Sequence, residues 1–181
     1  MKIAELKLND CIDGEGISVS LWTQGCPHRC SGCHNPETWD FEGGYEDETN
    51  NLRGEIIKAL TANGIKRNFS VLGGEPLCRE NVEDVLTIIS CVKAALPDTK
   101  IYLWTGYTYE ELTSNVNFTL QADLLQQCDY LIDGPYLEEF RDITLDMRGS
   151  SNQRIFDLKN ISLCAVGKVH TQEEYKDYLN L

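Results

Sequence analysis

The run Gly16-Ile17-Ser18-Val19-Ser20-Leu21-Trp22-Thr23-Gln24-Gly25-Cys26-Pro27-His28-Arg29-Cys30-Ser31-Gly32-Cys33 passes without a break from an extended apolar segment into a loop that holds three cysteines. Gly16 to Trp22 reads as a strand, and the loop that follows sets three thiols at Cys-x3-Cys-x2-Cys spacing. Three thiolates are one short of a closed tetrahedral site. Structural zinc and electron-transfer iron-sulfur clusters usually take four protein ligands, so a set of three leaves one position for a substrate or cofactor.

Working outward, the same strand-then-loop arrangement recurs. Asn68 to Leu72 runs into Gly73-Gly74-Glu75-Pro76, Lys100 to Trp104 into Thr105-Gly106, and Leu131-Ile132, within the extended run Tyr130 to Asp133, into Asp133-Gly134-Pro135. Ile161 to Val166 is a further candidate strand and Ile3 to Leu8 a short edge strand. Between them Leu52, Ile56, Ile57 and Leu60 fall at helical spacing, as do Val82, Val85, Leu86, Ile89 and Leu96. Asn81 with Asp84 caps the second of these helices and Pro97 marks its end, while Thr108 with Glu111 and Thr171 with Glu174 form capping boxes that open two more. Alternating strands and helices predict an α/β fold with a mostly parallel sheet. An eight-unit barrel takes roughly 250 residues. The 181 residues here therefore predict an incomplete barrel or an open sheet, in a single domain spanning 1–181. In such folds ligands gather where strands end, and four strand ends carry the unusual residues.

Composition narrows the function classes. Lys and Arg number 16 against 29 Asp and Glu, a formal charge of -13, which argues against a nucleic-acid partner because that affinity rests on Lys and Arg displacing counterions. Met1 to Lys7 lacks the apolar stretch of a signal peptide, and no run is long enough to span a bilayer, so the expectation is a cytoplasmic protein without a membrane partner. Of the eight cysteines, Cys78, Cys91, Cys128 and Cys164 lie in or beside apolar segments and read as buried reduced thiols.

Each candidate motif has two readings. The Cys26, Cys30 and Cys33 loop suits an iron-sulfur cluster, and it also suits zinc with His34 or His28 as a fourth ligand, although His34 directly follows Cys33 and joins the same site only with strain. Gly73 and Gly74 let a ligand approach the backbone with Glu75 ready to pair with an ammonium, or they form a tight turn with a solvated Glu. Arg148 to Arg154 either meets a partner or cofactor carboxylate or is a surface loop with local ion pairs. Asp133-Gly134-Pro135 also reads as an ordinary turn. Trp39, Trp104, Tyr107 and Tyr136 read as packing residues, and the acidic Glu42 to Glu48 stretch as a solvated helix start.

Together these motifs resemble the radical S-adenosylmethionine enzymes. Cys26-x3-Cys30-x2-Cys33 matches the cluster motif of that superfamily and Gly73-Gly74-Glu75 its motif for the methionyl amino group. Asp13-Gly14-Glu15-Gly16 and Cys33-His34-Asn35-Pro36-Glu37-Thr38-Trp39 are similar to the glycyl-radical-enzyme activases. The runs Tyr102 to Tyr107, Leu131 to Tyr136 and Arg148 to Arg154 are similar to the activases of anaerobic ribonucleoside-triphosphate reductase. The resemblance implies an incomplete (βα)6-type barrel and one [4Fe-4S] cluster on Cys26, Cys30 and Cys33, which are then both metal ligands and catalytic residues. It implies S-adenosyl-L-methionine bound among Gly32, Cys33, His34, Gly73, Gly74, Glu75 and Thr105. An electron from a donor such as flavodoxin or ferredoxin then cleaves that cofactor, and the 5′-deoxyadenosyl radical takes a hydrogen from a glycine of the reductase large subunit. The alternatives are an activase of another glycyl-radical enzyme such as formate-lyase, and a non-catalytic zinc-stabilised binding module.

Overall fold

The computed structural model describes residues 1–46, 49–160 and 162–163. Within them lie β1 (Lys2–Asp10), β2 (Ser18–Thr23), β3 (Tyr45–Glu46), α1 (Thr49–Thr61), β4 (Asn68–Gly73), α2 (Val82–Ala95), β5 (Ile101–Trp104), α3 (Tyr109–Ser114), α4 (Thr119–Gln127), β6 (Tyr130–Asp133), β7 (Arg154–Asp157) and β8 (Ser162–Leu163).

The strands form one open mixed sheet in the order β3-β1-β2-β4-β5-β6-β7-β8. Its centre, β2-β4-β5-β6, is parallel, and antiparallel strands extend it on both sides. Each parallel strand lies beside the next one along the chain. Among these four strands the order never reverses, which distinguishes this parallel centre from doubly wound folds with a switch-point crevice.

Alternation along the strands explains the layering. Val19, Leu21, Phe69, Val71, Ile101, Leu103 and Leu131 form one face and share a core with Leu52, Ile56 and Leu60 of α1, Val85, Ile88, Ile89 and Val92 of α2, Leu112 of α3 and Leu124 and Leu125 of α4. Burying each large apolar side chain contributes about 1.5–3 kcal/mol. Ser20, Ser70 and Tyr102, joined in register, belong to the opposite face, followed one step along by Trp22, Leu72, Trp104 and Ile132. Among the described residues no helix packs into the cluster on this second face, which lines a cavity instead.

Several expectations shift. Ile3 to Leu8 is not an edge, since β1 lies between β2 and β3. β3, β7 and α4 went unread: two strand residues are too short for a pattern, and Arg154 masks β7 as a polar loop. Asn81 occupies the N-cap of α2 without capping it; its Nδ2 donates instead to Gln24 O at 2.9 Å and Glu75 O at 3.0 Å. Thr108 and Glu111 do form a reciprocal capping box on α3. Most of the Ile161 to Val166 strand, the Thr171–Glu174 capping box and Cys164 lie outside the described residues, as do Asp47 and Glu48 of the acidic stretch. No disulfide forms among the described cysteines, of which Cys78 and Cys128 are buried. Among the described residues no helix is long and apolar enough to cross a membrane.

Candidate metal and cofactor site

The ends of β2, β4, β5 and β6 open into a cavity of about 670 Å3. Cys26, Cys30, Cys33, Gly32 and His34 line it from one loop, and Gly73, Gly74, Glu75, Thr105, Gly106 and Gly134 from the other strand ends. Cys26, Cys30, Cys33, Gly32, His34, Gly73, Gly74, Glu75 and Thr105 all border this one space, whereas Asp133 and Arg154 do not line it.

Backbone bonds fix the start of the cysteine loop. Gly74 N donates to Thr23 O and Glu75 N to Gly25 O, both at 2.8 Å, while Gly25 N donates to Thr38 O at 2.8 Å and Cys26 N to Trp39 O at 3.2 Å. Gln24 Nε2 adds bonds to Glu37 O at 3.0 Å and Asp40 O at 2.7 Å. The loop is thus sewn to β4 on one side and to residues 37–40 on the other. Gly73 adopts φ +106, and a Cβ there would stand 2.6 Å from Thr23 N, while one on Gly74 would overlap the Gly25 carbonyl. The missing side chains are demanded by the protein's own backbone, and both amide groups of Gly74 and Glu75 are spent on it. Both glycines also border the cavity.

Further along, Cys33 N donates to Cys30 O at 3.1 Å across a turn in which Gly32 has φ +72. Asn35 N lies 3.4 Å from Cys33 Sγ, and Ser31 Oγ donates to Glu138 Oε2 at 3.2 Å. Burial pushes the Cys26 thiol up to about 11 and the Cys30 thiol upward, opposed by the His28 and Arg29 amides at Cys26 and the Tyr136 amide at Cys30. Such thiols bind as thiolates when a metal takes the place of the proton. No three His, Cys, Asp or Glu side chains among the described residues gather around a single-ion position. A cluster asks for something else, because each thiolate holds a different iron. Three soft donors bordering one cavity, with amides aimed at their sulfurs, fit that group.

Glu75 is the most enclosed residue of the site, with a side chain 1% exposed. Its Oε1 accepts from Leu77 N at 2.9 Å and Thr105 Oγ1 at 2.7 Å, and its Oε2 from Gly106 N at 2.7 Å, with His28 Nε2 2.9 Å away. The solvated-Glu alternative is therefore excluded. Burial lowers the His28 pKa, but the hydrogen bond and charge of Glu75 outweigh it and leave His28 above its ordinary value. His34 is exposed and touches Asn35.

Asp133 and Arg154 settle differently from their sequence readings. Asp133 is fully buried at the end of β6, accepts from Tyr109 N at 2.7 Å and pairs with Arg154, whose Nε lies 2.9 Å from Oδ1. Arg154 also reaches Glu110 Oε2 at 2.6 Å. This is a structural ion pair tying β7 to β6 and α3. Arg148 instead borders the cavity, with Nη1 donating to Gln153 O at 3.2 Å. Trp39, Trp104 and Tyr136 border it too, and Trp104 Nε1 donates to Met147 O at 2.8 Å.

Sequence reasoning missed Gly106, whose amide serves Glu75, and Glu138, which braces the cysteine loop. Gly106 had a signal, since it follows Thr105 at a strand end. Glu138 had none.

Residues 12–156 match the family model of the 4Fe-4S single cluster domain. The chain is 39% identical to the anaerobic ribonucleoside-triphosphate reductase-activating protein of Vibrio cholerae, over 81% of this chain and 91% of that one. The protein of the same description from Haemophilus influenzae is 39% identical over 83% and 94%. The one from Enterobacteria phage T4 is 35% identical over 81% and 88%.

Proposed function

Because the chain belongs to the family of anaerobic ribonucleoside-triphosphate reductase-activating proteins and carries its 4Fe-4S single cluster domain, we propose that it is the radical S-adenosylmethionine activase of an anaerobic ribonucleoside-triphosphate reductase. The observation that carries this reading is the shared cavity: the three loop cysteines and the buried Glu75 border the same space at the ends of the parallel strands. Cys26, Cys30 and Cys33 hold the [4Fe-4S] cluster. Bound there, the cluster and S-adenosyl-L-methionine supply reductive cleavage of a carbon–sulfur bond and, through it, hydrogen abstraction from a glycine of the reductase large subunit.

The protein's own part is to bind and shield. Glu75 takes the ammonium of the methionyl end, with Thr105 holding its other oxygen. Gly32, Cys33 and His34 border the cofactor from the cysteine loop, and Gly73 and Gly74 border it from the end of β4, where they also lock that loop to the strand. The apolar walls at Trp22, Leu72 and Trp104 exclude water from a reaction that water would quench. The succession β2, β4, β5, β6 with the described helices on one face is the preserved part of an incomplete (βα)6-type barrel, whose open side admits a macromolecular substrate. The electron comes from a small carrier of the flavodoxin or ferredoxin class.

The test is anaerobic. Reconstituted protein should bind about four irons per chain, release 5′-deoxyadenosine when reduced with S-adenosyl-L-methionine, and raise a glycyl radical signal on the reductase large subunit by electron paramagnetic resonance. Cofactor cleavage without that signal, but with one on formate-lyase, reassigns the partner. Colourless zinc protein without cleavage overturns the reading.

A further inference from the structure

The Glu75 carboxylate is already full. A carboxylate offers about four lone-pair sites, and Leu77 N, Thr105 Oγ1, Gly106 N and His28 Nε2 take one each, at 2.9, 2.7, 2.7 and 2.9 Å. With 1% of its side chain exposed, Glu75 has neither a free acceptor nor a free surface for an incoming ammonium. One donor has to leave before a ligand binds there.

The four are not equally replaceable. Leu77 and Gly106 donate through backbone amides set by the folded chain. Thr105 is 5% exposed, and its hydroxyl also accepts from Tyr107 N at 3.2 Å, so it is held from both sides. His28 belongs to a different element, the loop between Cys26 and Cys30, and its side chain is 20% exposed. Its ring rests on Gly106, where any Cβ would overlap it, and meets the Tyr107 ring edge-on at 4.6 Å. Those contacts guide the ring onto Glu75 without enclosing it.

We propose that His28 is the exchangeable fourth donor of Glu75: its imidazole holds Oε2 until the α-ammonium of an amino-acid ligand displaces it. This rests on the reading that Glu75 receives the methionyl ammonium of S-adenosyl-L-methionine. An unpaired buried carboxylate is costly, and the exchange keeps Glu75 paired before and after binding. His28 also lies two residues from Cys26 and from Cys30, so its departure couples occupancy of the cavity to the conformation of the cluster loop.

A displaceable donor is a competitor, and removing a competitor tightens binding. A fixed clamp does the reverse. In cluster-loaded protein, His28→Ala should bind S-adenosyl-L-methionine about fivefold to tenfold more tightly than the parent by anaerobic equilibrium dialysis, a net hydrogen bond's worth. Its affinity for 5′-methylthioadenosine, which lacks the amino-acid end, should not move. His28→Phe keeps the ring contacts on Gly106 and Tyr107 without the donor, and should tighten binding likewise even if the alanine variant folds poorly. Glu75→Gln separates the two claims: unchanged affinity for S-adenosyl-L-methionine removes Glu75 as the ammonium acceptor. Weakened binding in Glu75→Gln together with weakened or unchanged binding in the folded His28 variants overturns the exchange alone.

Discussion

Gly74 stands so close to Gly25 that a Cβ on it would overlap the Gly25 carbonyl oxygen, the same oxygen that accepts the Glu75 amide at 2.8 Å. The neighbour is backbone and cannot swing aside, so Gly74→Ala has to part the cysteine loop from β4. The expected loss is about 1–3 kcal/mol, read as a lower urea midpoint, together with reduced iron retention. Gly54→Ala is the control: on α1, with nothing within 4 Å of the added carbon, it should gain about 0.5–1 kcal/mol. An unchanged midpoint for Gly74→Ala would show that the loop is not locked in this way.

The cluster assignment separates two cysteines that composition treats alike. Cys30 borders the cavity, whereas Cys91 sits on α2 with Arg53 Nη1 at 3.8 Å from its sulfur. Cys30→Ala should lose most of the iron bound on reconstitution, and Cys91→Ala should keep it, by colorimetric iron determination. Full iron in Cys30→Ala would remove that residue from the ligand set.

What the sequence made legible follows from where the deciding interactions lie. The parallel centre was readable because β2, β4, β5 and β6 are apolar runs ending in loops of unusual composition, and both signals are local. β7 was not, because Arg154 looks like loop polarity until Asp133 and Glu110 are brought to it across the sheet. The site showed the same division. The cysteine spacing is local and carries its chemistry openly, but the meaning of Gly73 and Gly74 depends on Thr23 and Gly25, some 50 residues earlier in the chain and adjacent only through the β2–β4 register. Asn81 was misread for a similar reason: its position predicts a cap, and tertiary acceptors on Gln24 and Glu75 take its amide instead.

Stability should depend on pH through Asp13, which borders the cavity beside Asp10. Burial, then the hydrogen bond and charge of Asp10, push its carboxyl from 3.8 up to about 7. Between those values the folded protein keeps a proton that the unfolded chain has released. The contribution of Asp13 is therefore fully present below about pH 3.8 and is lost as pH rises towards 7. Asp10 is shifted the other way: burial raises it, but the Ile12 amide on its Oδ1 and the neighbouring polar groups outweigh that, so its contribution grows as pH rises towards 3.8 and not above it. Asp13→Asn should flatten the fall between pH 4 and pH 7 in urea titrations. A slope unaltered by the substitution would place the proton elsewhere.

The Asp133–Arg154 pair sets the cost of breaking the β6–β7 junction. Burial raises Asp133 above the ordinary carboxylate value despite the opposing guanidinium. At Arg154 burial opposes the charge, but Asp133 and Glu110 outweigh it and leave Arg154 above its ordinary value. Removing the cation strands a carboxylate with no exposed surface, so Arg154→Met should cost about 3–5 kcal/mol. The exposed arm contributes far less, and Glu110→Gln should cost under about 1 kcal/mol. Adding Asp133→Asn to Arg154→Met removes the stranded charge while keeping an acceptor for Tyr109 N, and should recover much of the loss. A double variant no more stable than Arg154→Met alone would mean that the cost lies in lost packing of the arginine over Phe156, 4.8 Å from its ring centre, and not in the buried charge.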